Sequence, residues 1–123
     1  MHPHSTQTII EHHFNSFVNS DLEALMSNYT EDSKVIMLDI VASGLDEIRR
    51  LLTGAINNFP TGEALIILDT LIVDGDLGYT IWHGETNSIV VPFSTATYLI
   101  QDGKIYRHTI GRITQAKTLG EQV

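Results

Sequence analysis

Apolar side chains in the first half of the chain recur at the three- to four-residue spacing of amphipathic helices. The first helix is predicted to begin at Ser5 or Thr6, either of which can cap it, and Asp21 can cap a second one. A third helix is predicted to begin near Ser43 or Asp46. The apolar stripe of the first helix comprises Ile9, Ile10, Phe14, Phe17 and Val18.

The second half of the chain changes to the two-residue alternation of half-buried strands. This pattern predicts a short early strand at 35–41 and four long strands at 63–73, 78–85, 88–100 and 104–113. The long strands are joined by short polar or glycine-containing segments such as Asp102-Gly103, which is typical of antiparallel hairpins. Helices followed by paired strands predict an α+β fold with one helical layer against a sheet.

Composition limits the class of protein. The 123 residues predict one domain, with a core at about 7–113 and a flexible tail at 115–123. The formal charge of −8 disfavours nucleic-acid binding, and the lack of cysteine excludes a thiol nucleophile or thiolate metal site. No apolar run has the length of a membrane span, and the N-terminus lacks the pattern of a secretory signal, so a cytoplasmic location is expected.

Four short motifs follow one another along the chain: Asn19–Leu25, Tyr29–Val35, Gly44–Ile48 and Asp102–Ile105. In this order they resemble the NTF2-like superfamily, which includes the SnoaL-like polyketide cyclases and ketosteroid isomerase. The resemblance implies a cystatin-like cone in which three N-terminal helices pack on a strongly curved, mostly antiparallel sheet that encloses a pocket. It also implies a small apolar ligand, no cofactor, and a homodimer formed through the outer face of the sheet.

His108 lies on the last predicted strand, where alternation places it on one face with Tyr106 and Ile110. SnoaL-like relatives often carry a histidine here that is turned into the cavity, so the resemblance implies that His108 and Tyr106 belong to the pocket. An imidazole in apolar surroundings can move a proton near neutral pH or donate a hydrogen bond to a carbonyl. The alternative is a histidine whose hydrogen bonds are made by a neighbouring tyrosine or water.

Asp39 is a second candidate catalytic residue, because alternation along 35–41 places it on one face with Val35 and Met37. Ketosteroid isomerase has its aspartate base on the corresponding strand. Ungapped alignment gives Met37 at that position, so Met37 is expected to line the pocket and Asp39 lies two residues further along the same face. The alternative, which the sequence favours, is an aspartate at a strand end that is solvated by the following loop.

His13 is the third candidate, because it lies three residues from Ile10 and four from Phe17 on the apolar stripe. It aligns with the tyrosine that stabilises the oxyanion in the isomerase; the alternative is a histidine at the edge of the core with a local partner. Tyr29, at the end of the second helix, is also assigned to the pocket. The adjacent side chains of His12 and His13 diverge by about 100°, so no metal site is predicted.

The strand at 78–85 carries Tyr79, Ile81 and His83 on one face, and Thr80 and Trp82 on the other. Alternation does not show which face is inward. Alignment to the isomerase predicts that Tyr79 and His83 line the pocket, which would place Trp82 on the outer, dimer-forming face. A tryptophan in the core is an equally simple interpretation.

Two departures weaken the resemblance to the isomerase: Met37 stands where its base would be, and Ala96 where a second acid would be. The sequence therefore leaves two hypotheses open. One is a cofactor-free lyase, isomerase or cyclase that uses His108 with Asp39 or His13 as acid and base. The other is a non-catalytic module that binds a small ligand or dimerises.

Overall fold

The computed structural model describes residues 5–117. Its helices are α1 (Thr6–Val18), α2 (Leu22–Met26) and α3 (Gly44–Asn58). Its strands are β1 (Lys34–Met37), β2 (Ile40–Ser43), β3 (Leu65–Asp74), β4 (Leu77–Glu85), β5 (Ile89–Gln101) and β6 (Lys104–Ala116). The predicted α+β fold is confirmed: one open six-stranded sheet has the order β2-β1-β6-β5-β4-β3, and all its pairs are antiparallel except β1 with β6.

The helix starts follow from local capping chemistry. The Ser5 hydroxyl accepts a hydrogen bond from the backbone N–H of Thr8, and the Asp21 carboxylate accepts one from Ala24. At α3 the accepting side chain comes from inside the helix instead of from the residue before it. The Glu47 carboxylate accepts a hydrogen bond from the backbone N–H of Ser43 at 2.8 Å. These contacts satisfy backbone donors that the first turn of a helix leaves free.

Turns decide how the strands pair. Asp102 and Gly103 both have positive φ values, 53° and 76°, which is the conformation of a tight antiparallel hairpin turn. A second turn was not expected: Met37 pairs directly with Ile40, so the predicted single strand at 35–41 is two strands joined at Leu38 and Asp39. Leu38 has a φ of 56°, a conformation rare for leucine, and its identity therefore gave no turn signal.

Bulges bend the long strands. The registers of β3 with β4, β4 with β5, and β5 with β6 each shift by a residue, near Asp69, Pro92 and Tyr106. A bulge inserts an unpaired residue and increases the local twist, so three neighbouring pairs curve the sheet around the helices. Pro92 has no N–H to donate and suits such a position.

The inner face of the sheet packs against the helices as two apolar clusters. The larger one contains Ile10, Leu25, Ile48 and Ile105, and the smaller one contains Phe14, Phe59, Trp82 and Val91. β6 continues through Ala116, so Gln115 and Ala116, which were predicted to belong to a flexible tail, are part of the sheet; residues 118–123 of that predicted tail lie outside the described residues.

Candidate functional site

A cavity of about 60 Å³ is lined by residues of both apolar clusters. All three helices contribute to its wall, together with β1, β4, β5 and β6. Its wall is mostly aliphatic and aromatic, with the polar groups of His13, Tyr98, His108 and Arg112; the other lining residues are Phe14, Phe17, Leu25, Met37, Leu52, Ala55, Trp82, Ala96 and Ile110. Drug-sized ligands occupy pockets of about 300–1,000 Å³, so this cavity suits a much smaller molecule.

A chain of hydrogen bonds leads from α1 to this pocket. The Tyr29 hydroxyl lies 3.1 Å from Nε2 of His13 and 2.9 Å from Nδ1 of His108. At the far end, Nδ1 of His13 lies 3.0 Å from the side-chain nitrogen of Asn28. All four side chains are buried, so each hydrogen bond is shielded from water.

Burial sets the protonation states of this chain. Burial, followed by the charge interaction with the neighbouring His12, lowers the pKa of His13 to about 3. Burial, followed by the nearby His13, also lowers the pKa of His108 well below its ordinary value. Both imidazoles are therefore neutral at pH 7, and burial raises the pKa of Tyr29 so that it keeps its proton.

His108 keeps one free polar atom beside the pocket. Its ring stacks on Tyr98 with centroids 4.3 Å apart, and Nδ1 is bound to Tyr29. Its Nε2 is buried and has no hydrogen-bond partner among residues 5–117. Because nearly all buried polar atoms in proteins are paired, this ring nitrogen is the group in the wall that can still form a hydrogen bond with a small molecule.

Comparison with known proteins identifies the family. Residues 10–108 match the family model described as a SnoaL-like domain. The chain belongs to the SnoaL-like domain family. No match is found among the curated proteins compared with it.

Solved structures share the fold of this SnoaL-like domain. An NTF2-like protein of unknown function from Cytophaga hutchinsonii has a TM-score of 0.73 at 9% identity, covering 91% of this chain and 93% of its own. A proposed polyketide cyclase from Sinorhizobium meliloti has a TM-score of 0.70 at 22% identity, with 83% and 92% coverage. An LEH-like epoxide hydrolase from M. tuberculosis has a TM-score of 0.70 at 13% identity, with 88% and 82% coverage. The NTF2-like architecture expected from the sequence is thus confirmed.

Asp39 lies away from the pocket of this SnoaL-like domain. The predicted alternation with Val35 and Met37 is wrong, because the strand ends at Met37 and Asp39 is an exposed residue of the β1–β2 turn. Met37 itself is part of the pocket wall, as its alignment suggested. Among the described residues, none of the side chains that line the pocket is a carboxylate.

The face predicted for β4 is also wrong. Trp82 and Thr80 point inward, whereas Tyr79 and His83 lie on the outer face, where Nδ1 of His83 lies 2.7 Å from the carboxylate of Asp69. Tyr79 and His83 therefore do not line the pocket. Alternation fixes the two faces of a strand without fixing which is inward, and the alignment supplied the wrong choice.

Tyr106 does not line the pocket, and the reason is a bulge in β6. Ile100 pairs with Ile105 but Leu99 pairs with Arg107, so β6 contains an extra residue and the simple alternation from Tyr106 to His108 fails. The guanidinium of Arg107 stacks on the Tyr106 ring, 3.7 Å from its centroid. Tyr29, by contrast, lies behind the pocket wall as the link between His13 and His108.

Among the residues of the site with a polar group in the side chain, four were not predicted to belong to it: Asn28, Trp82, Tyr98 and Arg112. Tyr98 and Arg112 could have been found, because they lie two and four residues beyond Ala96 and His108 on the same strand faces. Asn28 has no periodic signal and meets His13 only because α2 packs against α1.

Within residues 5–117, no group of three or more His, Asp or Glu side chains is placed to hold a metal ion. No helix in that part of the chain has the length and apolar character to cross a membrane.

Proposed function

We propose that this SnoaL-like domain binds a small, mostly apolar molecule in the cavity and that His108 makes its polar contact. The unpaired Nε2 of His108 in a mostly apolar wall carries this proposal. The proposal includes no cofactor and, as the sequence predicts, a cytoplasmic location.

The pocket supports binding more directly than proton transfer. Proton abstraction needs a base near the substrate, and the described residues place no carboxylate in the wall. The low pKa of His108 also makes its ring a weak base at neutral pH. Mostly apolar walls with a few polar groups are typical of sites that bind and orient small molecules.

Catalysis is the second candidate function, and the link between two histidines through Tyr29 favours it. A ligand carbonyl held by His108 would be polarised, which is the first requirement for enolisation. The similar structures include proteins described as a proposed polyketide cyclase and an epoxide hydrolase, so the fold accommodates chemistry. Exchange of the α-hydrogens of cyclopentanone for deuterium, followed by NMR, would separate the two candidates: exchange above the buffer rate that His108→Phe abolishes supports catalysis.

Binding can be tested with cyclopentanone and cyclopentanol as probes. Both should shift the NMR signals of Ala96, His108 and Ile110 in the wild-type protein. His108→Phe keeps a planar ring but leaves the oxygen of the probe unpaired, which costs about 1–3 kcal/mol, so affinity should fall roughly 5- to 150-fold. The measurement is a titration followed by two-dimensional NMR.

The matched control is His83→Phe, which makes the same substitution on the outer face of the sheet. It should bind both probes with wild-type affinity. Failure of both probes to shift the pocket signals, or equal affinity in His108→Phe, would contradict the proposal.

We further propose that the domain dimerises through the outer face of its sheet. Paired positions on β3, β4, β5 and β6 expose an apolar surface there, formed by Leu65, Ile67, Ile72, Leu77, Phe93 and Ile113. An exposed apolar surface of this kind is typical of an interaction site. Trp82 does not contribute, because it is buried in the core.

Sedimentation velocity at micromolar concentration should show a dimer that Phe93→Glu converts to a monomer. A charge placed within a buried interface is strongly unfavourable. Leu38→Glu is the control, because Leu38 is an exposed apolar residue of the β1–β2 turn rather than of the outer face. A monomeric wild-type protein, or a Phe93→Glu dimer of unchanged affinity, would exclude this interface.

A further inference from the structure

We propose that Asn28 fixes the proton positions along the chain Asn28–His13–Tyr29–His108, so that His108 presents Nε2–H to the pocket and selects ligands with a hydrogen-bond acceptor. The proton positions follow from the protein alone. The ligand class rests on the binding function proposed above.

The chain begins at a group whose direction is fixed. The side-chain nitrogen of Asn28 lies 3.0 Å from Nδ1 of His13 and 3.5 Å from the backbone oxygen of Ala24. A backbone carbonyl can only accept, so the amide N–H₂ group belongs on this side. The amide oxygen then faces Nδ1 of His12, at 3.3 Å. Asn28 therefore donates to Nδ1 of His13.

Each following step has a single outcome. Nδ1 of His13 accepts from Asn28, so the one proton of this neutral imidazole is on Nε2 and is donated to the Tyr29 oxygen. The Tyr29 hydroxyl then donates its own hydrogen to Nδ1 of His108. His108 is neutral too, so its proton is on Nε2. The opposite arrangement would leave His13 without any proton, which a neutral imidazole does not permit.

The result defines what the pocket recognises. An N–H in an apolar wall matches a carbonyl or ether oxygen of the ligand and does not match a ligand N–H at the same point. A small ketone, aldehyde or ester satisfies the free donor of His108. Asn28 and Tyr29 are positioning residues in this account, since they act on the ligand through His108, whereas His13 relays the proton order and also forms part of the pocket wall.

Long-range ¹H–¹⁵N correlation spectra of the ligand-free protein, labelled with ¹⁵N-histidine, test the proton positions, because protonated and bare ring nitrogens resonate far apart. We expect His108 to show a bare Nδ1 and a protonated Nε2 in the wild-type protein. Tyr29→Phe removes the donor to Nδ1 and should give a mixture of both tautomers. Tyr106→Phe removes a hydroxyl outside the chain and should give the wild-type spectrum.

A protonated Nδ1 of His108 in the wild-type protein would overturn the proposal, and this measurement requires neither a variant nor a ligand. The ligand class is tested separately: cyclopentanone should bind at least about fivefold more tightly than methylenecyclopentane, which has the same shape without an acceptor. Equal affinities would overturn the acceptor preference while leaving binding itself intact. Absence of binding by both would contradict the proposed function but not the proton positions.

Discussion

Lowering the pH from about 7 to about 5 should reduce the free energy of unfolding by about 4 kcal/mol, which is a large part of the stability of a small domain. His13 and His108 are buried and neutral in the folded protein, and burial lowers the pKa of each below its ordinary value of 6.5. In the unfolded chain both regain that ordinary pKa. Each histidine therefore contributes about 2 kcal/mol to the change.

The sign follows from which state binds protons first. As the pH falls through about 6.5, the unfolded chain takes up protons while the folded protein does not, so unfolding becomes more favourable. For His13 this window extends down to its folded pKa of about 3. Arg49 and Lys117 lower the pKa of Glu23 and Glu85 from 4.5, so the loss of those ion pairs adds to the effect only at lower pH.

Urea unfolding at a series of pH values measures this dependence. In His108→Phe one of the two titrating groups is absent, so the loss between about pH 7 and about pH 5 should be halved, to about 2 kcal/mol. Phe17→Leu changes the pocket wall without removing a titratable group. It should lower stability equally at every pH and keep the slope. A stability that is constant across this range would show that the two histidines are not neutral in the folded state.

Local chemistry made much of the fold predictable. Ser5 and Asp21 cap the helices that they were expected to cap, and Asp102-Gly103 forms the expected hairpin turn. His13 was chosen from its place on the helical stripe and His108 from the family resemblance, and both line the pocket. The capping, turn and stripe predictions depend on residues close in sequence, for which local rules are sufficient.

The wrong predictions depend on where a strand is interrupted and which face it buries. Leu38 adopts a conformation that its side chain does not favour, so the turn that exposes Asp39 had no signal. The bulge near Tyr106 breaks the alternation that linked it to His108. For β4 a signal was present: Gly78 and Gly84 share the face of Trp82, and glycines on one face of a strand mark close packing.

Asn28 shows a different limit. Its contact with His13 spans 15 residues and forms because the end of α2 meets the middle of α1. No helical or strand spacing connects the two residues, so sequence patterns found the histidines but not the group that orients them. The sequence therefore predicted which histidines line the pocket, but it did not predict which of their ring nitrogens carry the protons.

Gly84→Ala should destabilise the protein by about 3 kcal/mol, the upper end of the range for an overpacked core. A Cβ at Gly84 would lie 2.6 Å from the backbone oxygen of Leu65 and 3.2 Å from Cζ3 of Trp82. The backbone oxygen belongs to the paired strand β3 and cannot move by a change of rotamer. Relief of the closer contact therefore requires β3 and β4 to separate, and Trp82, which forms part of the pocket wall, must give way as well.

Gly54→Ala is the matched control, because it makes the same substitution where no atom lies within 4 Å of the new Cβ. Gly54 is an exposed residue inside α3, so alanine should stabilise the helix by about 0.5–1 kcal/mol. Urea unfolding followed by the fluorescence of Trp82, the single tryptophan, compares the two variants. Opposite shifts of the midpoint would attribute the loss to the contact between β3 and β4, whereas stabilisation in both would mean that the sheet has room for a side chain at Gly84.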